Sequence, residues 1–230
     1  MDMHPSMIKE NSQIRKEARS QLKGNWLMAI LVYFVYGIIT GLPGAIPLLG
    51  PIISIVLVGP LMLGATSCFL SLVRKNHFDF EELFDGFNNF VPAFLVYLIQ
   101  GIFIFLWSLL LIIPGIIASL SYSMSFFILH DNPQMSAMDC IRASKAMMKG
   151  FKFKLFCLYF TIVGPVMLAI IVLIFTVSLI ISSINAPILA IIFAIIVGLG
   201  SIVASLFLMP YLYNSVANFY ENLKENQMQK

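Results

Sequence analysis

His77 stands close to Asp79, Glu81, Glu82 and Asp85, the side-chain types that hold divalent cations. At these spacings they fall along one short stretch rather than around a point. The expectation is a solvated helix face and no metal site. His130-Asp131 is the other adjacent His–carboxylate pair, and it reads as a helix exit rather than an acid–base pair. His4, His77 and His130 are far apart in sequence, and no H-E-x-x-H, G-x-S-x-G, P-loop or C-x-x-C motif occurs. Cys68, Cys140 and Cys157 fall in a membrane span, on a basic helix and in a second span, so no structural disulfide is expected. Nothing here resembles an activated nucleophile. The chain is expected not to be an enzyme and to hold no cofactor or metal.

The remaining candidates lie inside apolar runs. Gln100 is the one amide clearly within such a run, suited to an interhelical hydrogen bond or to lining a polar path. Pro60 and Gly164-Pro165 are points where a helix can kink or break to open a site. Gly64, Ala65 and Ser67, then Ala118, Ser119, Ser121 and Ser123, are small enough to let helices approach closely in lipid. No Asp, Glu, Lys or Arg lies within these runs. That argues against a proton-coupled transporter and against a charge-selective pore, which need such groups.

Cations supply the other pattern. Arg142, Lys145, Lys149 and Lys152 are spaced by three, four and three, which is one helical stripe. Arg15, Arg19 and Lys23 repeat the arrangement near the start, with Ile14, Ala18, Leu22 and Trp26 on another face. These stripes are candidate contacts for anionic headgroups, or simply the positive flanks that set orientation.

The elements that carry these residues follow from composition. Of 230 residues, 60% are hydrophobic and 11% charged, against roughly 25% charged in a soluble domain. Residues 24–73, 86–130 and 155–220 contain no Asp, Glu, Lys or Arg. Each block is long enough for two crossings of a hydrocarbon core about 30 Å thick. Six helices are expected near 26–42, 52–73, 91–112, 115–130, 155–182 and 187–209. The turns between them fall at LPGAIPLLGP (42–51), Pro114-Gly115 and Ser183–Pro187. The fourth helix is short, and a re-entrant hairpin there would return the chain to the same side. Between the blocks, Asp79-Phe80-Glu81-Glu82 fits a capping box before a short helix. A second helix runs from Asn132-Pro133 and Ser136 to Gly150.

LVYFVYG at 31–37 returns as LVYLIQG at 95–101. Gly24, Gly86 and Gly150 align as stops after amphipathic stretches, and Tyr33, Tyr97 and Tyr159 follow them at matching distances. Three returning segments open on Pro60, Pro114 and Pro210. The pattern is three hairpins, each preceded by an amphipathic helix. All Lys and Arg then fall on one side, which the positive-inside rule makes cytoplasmic together with both termini. The charged leader is long and no clear A-x-A site follows the first apolar run, so an uncleaved first span is expected.

The run FLWSLLLIIPGIIASLSYSMSFFILHDNPQMSAMDCIRASKAMMKGFKFKLF (105–156), with ARSQLKGNW (18–26), FEELFDGF (80–87) and PYLYNSVANFYENL (210–223), resembles a family of bacterial integral membrane proteins, domain of unknown function 975. The resemblance implies a polytopic protein of the bacterial cytoplasmic membrane, commonly in Gram-positive species, and carries over no catalytic residues. Residues 165–209 are bulkier than that family's usual third hairpin.

The reading is one all-α domain, a polytopic transmembrane bundle of six spans in three hairpin repeats with short cytoplasmic amphipathic helices. Its parts are a leader (1–23), hairpin 1 (24–73), a cytoplasmic helix (74–89), hairpin 2 (90–130), a basic helix (131–154), hairpin 3 (155–210) and a tail (211–230). The expected role is a non-enzymatic scaffold that meets membrane lipids or other membrane proteins, not nucleic acid. The alternative is a transporter or exporter component for an uncharged or amphiphilic solute, with a cavity near Gln100 and Gly164.

Overall fold

A computed structural model describes residues 8–184 and 187–228; among them there is no strand. The helices are α1 (Asn11–Leu22), α2 (Trp26–Gly41), α3 (Gly50–Lys75), α4 (Glu82–Asp85), α5 (Phe90–Leu110), α6 (Ile112–Tyr122), α7 (Ser125–Asp131), α8 (Ala137–Met147), α9 (Lys152–Ile184) and α10 (Pro187–Met228). Six helical segments are long and apolar enough to cross a bilayer: Trp26–Ala45, Gly50–Lys75, Glu82–Leu110, Ile112–Asp131, Lys152–Leu179 and Ile188–Met228. Asn185 and Ala186 of the expected third turn lie outside the described residues, as do His4 and Lys230.

Consecutive long helices pair: α2 on α3, α5 on α6, α9 on α10. The centre is built where three of them return. Residues 59–72 of α3 are buried, Met62 aside, as are residues 125–129 of α7 and much of 212–223 of α10. Phe69 stacks on Tyr213 with ring centres 5.6 Å apart, and Phe127 on Tyr220 at 5.0 Å. Small residues make this approach possible. A Cβ on Gly64 would fall on the Leu83 carbonyl oxygen, and one on Gly86 would fall on that of Pro60. The segment 82–89 is thereby clamped against α3 at main-chain distance.

The amphipathic helices do not leave their apolar faces free. Ile14, Ala18 and Leu22 of α1 are fully buried, and α1 packs along α10. Ser136 caps α8 by accepting from the Asp139 N–H at 3.2 Å, and Ile141 of α8 packs against Ala118 and Tyr122. Gly24 and Gly150, both in the left-handed region (φ 96° and 86°), join α1 to α2 and α8 to α9, a conformation that glycine reaches without a Cβ clash.

Several expected boundaries are corrected. The second turn is at Leu111, in extended conformation, and Pro114 and Gly115 lie in the first turns of α6, where a missing N–H costs nothing. The fourth span is two helices, α6 and α7, stepping at Ser123 and Met124. Gly86 has φ −60° as the C-cap of α4, so it serves close approach and not a left-handed stop. The capping box at 79–82 does not form: Asp79 accepts from the Glu81 N–H at 3.0 Å, while Glu82 turns away to Ser71. The sixth helix does not end at 209: α10 runs on through Pro210 to Met228, so the expected tail is part of the same helix.

Candidate functional site

Six helices wall a central cavity of about 420 Å³. Met62 and Thr66 come from α3, Gln100 from α5, Ser119 from α6, Phe126 and Phe127 from α7, Phe156 and Tyr159 from α9, and Tyr213 from α10. Thr66 bonds its own helix, donating to the Met62 carbonyl at 2.8 Å, as serine and threonine commonly do within apolar helices. Ser119 does the same to Ile116 at 2.9 Å. Gln100 does not. Its Oε1 is buried and accepts no hydrogen bond. A second cavity of about 370 Å³ shares Met62, Gln100 and Phe126 with the first and extends along Ile102 and Phe105 on the outer surface. Gln100 therefore lines both the central cavity and the outer groove. A volume of this size with an apolar lining and few polar groups is typical of a small-molecule site.

Gly164 and Pro165 do not join it. They lie on α9, which continues as helix through Pro165, and the nearest atoms to a Cβ on Gly164 would be the Phe160 ring at 3.5 Å. Gly64 is beneath, in the α3–Leu83 contact. The basic stripes are also outside, and residues 142–152 do not form one helical stripe: α8 ends at Met147, Lys149 lies in the turn with left-handed Gly150, and Lys152 opens α9. Arg15 donates to the Asn11 carbonyl at 3.4 Å, Arg19 lines a groove with Trp26 and Phe207, and Lys23 is exposed. Arg142 meets Asp139 at 3.4 Å, Lys145 and Lys152 border a groove with Trp107 and Pro114, and Lys149 is exposed. Cys140 is buried, and that burial and nearby Asp139 push its thiol up to about 11, so it is no nucleophile at neutral pH.

The chain matches the family model of proteins of unknown function DUF975 over residues 3–118 and again over 109–227. It belongs to the DUF975 family. No curated protein and no solved structure matches it.

Two constellations in this DUF975 chain were not singled out from the sequence. Asp131, just past the last apolar residue of α7, receives Arg74 from the end of α3 at 2.8 Å, and Lys224 and Tyr220 from α10 at 2.6 and 2.9 Å. Arg74 also meets Glu221 at 2.6 Å, and His130 Nδ1 lies 3.3 Å from Asp131. The ends of three returning helices are thus tied to one carboxylate. The second constellation is a ladder. Asn214 and Asn218, buried on α10, donate to Gln21 Oε1 on α1 at 3.0 and 2.7 Å, and Asn214 donates to the Ala18 carbonyl at 3.0 Å. Its signal was present in the asparagines at 214, 218, 222 and 226, a strict period of four on one helix face.

Proposed function

We propose that this protein is a non-enzymatic integral component of the bacterial cytoplasmic membrane that binds an amphiphile, lipid or lipid-like, in its central cavity. The observation that carries the reading is Gln100, whose amide oxygen is buried without a donor and whose side chain is among those lining a chamber of about 420 Å³ with apolar and aromatic walls. An unsatisfied buried acceptor costs about 1–3 kcal/mol, so a ligand bearing a hydroxyl or N–H donor on an apolar body is favoured there. Arg74, Lys224 and the cations of α1 lie where α1 and the C-terminal ends of α3 and α10 meet, while α8 packs on α5, α6 and α7 with Lys145 and Lys152 beside Trp107 and Pro114. Under the positive-inside rule that end is cytoplasmic, with both termini and the amphipathic helices. Three hairpins then dip into the bilayer from it, and their basic flanks meet anionic headgroups.

A second reading, a transporter or exporter component for an amphiphilic solute, draws on the adjoining groove. Met62, Gln100 and Phe126 line both cavities, and rotation of these side chains would join the groove to the chamber.

The test is extraction. Protein purified in a mild detergent is expected to carry about one amphiphile per chain, read by mass spectrometry. Ser119→Leu, which fills the chamber, is expected to abolish occupancy, and Gln100→Leu to lower it about fivefold to tenfold, the loss of one hydrogen bond. Equal occupancy in all three proteins would overturn the reading. Movement of a labelled amphiphile across proteoliposomes favours the second reading over the first.

A further inference from the structure

A different cavity, of about 400 Å³, lies at the basic end between α3, the segment 82–89 and the turn after α7. Its wall is polar where the central chamber is not: Ser71, Lys75, Glu82, Asp85, Asn89 and His130 line it. Ser71 donates to Glu82 Oε1 at 2.7 Å, and Glu82 Oε2 is buried with no partner. A carboxylate oxygen out of water without a donor is among the least favourable arrangements in a folded chain. Gly64 and Gly86 let the segment carrying Glu82 sit directly on the α3 main chain, so the backbone under Glu82 is held while its carboxylate can turn about its terminal bond toward the cavity. Arg74, which borders the cavity, is committed to Asp131 and Glu221, whereas Lys75 makes no ion pair among the described residues.

We infer that this cavity binds a primary ammonium that is linked to a phosphate, the chemistry of ethanolamine phosphate. The ammonium gives Glu82 Oε2 the donor it lacks, in a charge-assisted hydrogen bond, and has further N–H groups for Asp85 and Asn89. The phosphate faces Lys75 and His130. A carboxylate and a cation on one cavity wall select a zwitterion over a simple anion, which Glu82 and Asp85 repel, and over a simple cation, which Lys75 repels. The same chemistry is presented by a lipid headgroup at the membrane surface and by the free compound in the cytoplasm.

The experiment uses the full chain in nanodiscs of phosphatidylcholine and phosphatidylglycerol, with thermal unfolding as the readout. O-phosphoethanolamine is added in one arm and phosphocholine in another; in a third, phosphatidylethanolamine replaces phosphatidylcholine. Unfolding temperature is expected to rise with the primary ammonium and not with the quaternary one, which has no N–H to donate. A response to the lipid alone assigns the site to a headgroup, and a response to the soluble compound assigns it to the free form; both sustain the proposal. Glu82→Gln is expected to raise the half-saturating concentration at least tenfold, and Glu81→Gln, an exposed neighbour outside the cavity, to leave it unchanged. Should Glu82→Gln not fold, the ethanolamine and choline arms on the wild-type chain still decide. Equal responses to the two amines, no response from either source, or an unaltered Glu82→Gln would overturn it.

Discussion

Residues 59–72 of α3 and residues 188–208 of α10 are both uncharged helix, yet one is the core of the molecule and the other lies largely open along its length. In the most apolar window of each span, 56% of α3 is buried and none of α10. The difference is composition within apolarity. The α3 run GPLMLGATSCFLSL contains glycine, alanine, threonine, serine and cysteine, and the main chain of residues 83 and 93–94 comes directly against it. The α10 run is dominated by isoleucine, leucine, valine and phenylalanine, whose surfaces suit lipid tails as well as they suit another helix. Water drives neither into contact inside a bilayer. Close packing and main-chain approach do, and those need small residues.

Glycine substitutions should break this contrast most sharply. At Gly64 the added methyl meets the Leu83 main chain, which cannot rotate away. Gly64→Ala is expected to cost about 3 kcal/mol or more, or to prevent folding, read as lost monodispersity and a lowered unfolding midpoint in detergent. Gly198→Ala and Gly200→Ala on the open stretch of α10 meet nothing within 4 Å. Stability there is expected to stay the same or rise by up to about 1 kcal/mol. Equal losses at the two places would show that the open stretch is packed in the membrane, against another copy or a partner.

Charge sharpens the contrast next. Asp131 holds together the base on which both helices converge. Asp131→Asn leaves Arg74 with Glu221 but strips Lys224 of its carboxylate, an expected cost of about 2–3 kcal/mol. The Asn ladder comes after it. Asn218→Ala removes the 2.7 Å bond to Gln21, and an effect of about 1–2 kcal/mol is expected, visible as earlier proteolysis of α1.

The six apolar helical segments were legible because charge and length report them directly. So were α1 and the Ser136 cap, where period and cap residue agree. The second turn was misplaced because Pro-Gly punctuates both loops and first helical turns, and only the extended Leu111 separates the cases. Pro210 misled in the other direction. It marks the end of a span in composition, yet a helix already supported by α1 and α3 runs through it. Gln100 was found because an amide is rare in such a run. The Asp131 cluster was missed because its members come from positions 74, 131, 220, 221 and 224, each of which reads alone as an ordinary flanking charge or aromatic.

The smallest expected effect on stability is at Gln100, and its sign carries the argument. Were the amide a structural bond between helices, Gln100→Leu would remove that bond and lower stability by about 1 kcal/mol. The Oε1 atom has no such bond to lose. Leucine matches the side chain in bulk and removes a buried acceptor without a donor. The unfolding midpoint of the ligand-free variant is therefore expected to equal or exceed that of the wild type by up to about 1 kcal/mol, while amphiphile occupancy falls. Stability and binding moving in opposite directions is the behaviour of a residue kept for a ligand. A fall in both would assign Gln100 to the packing of α5 and leave the chamber without the buried acceptor on which the reading rests.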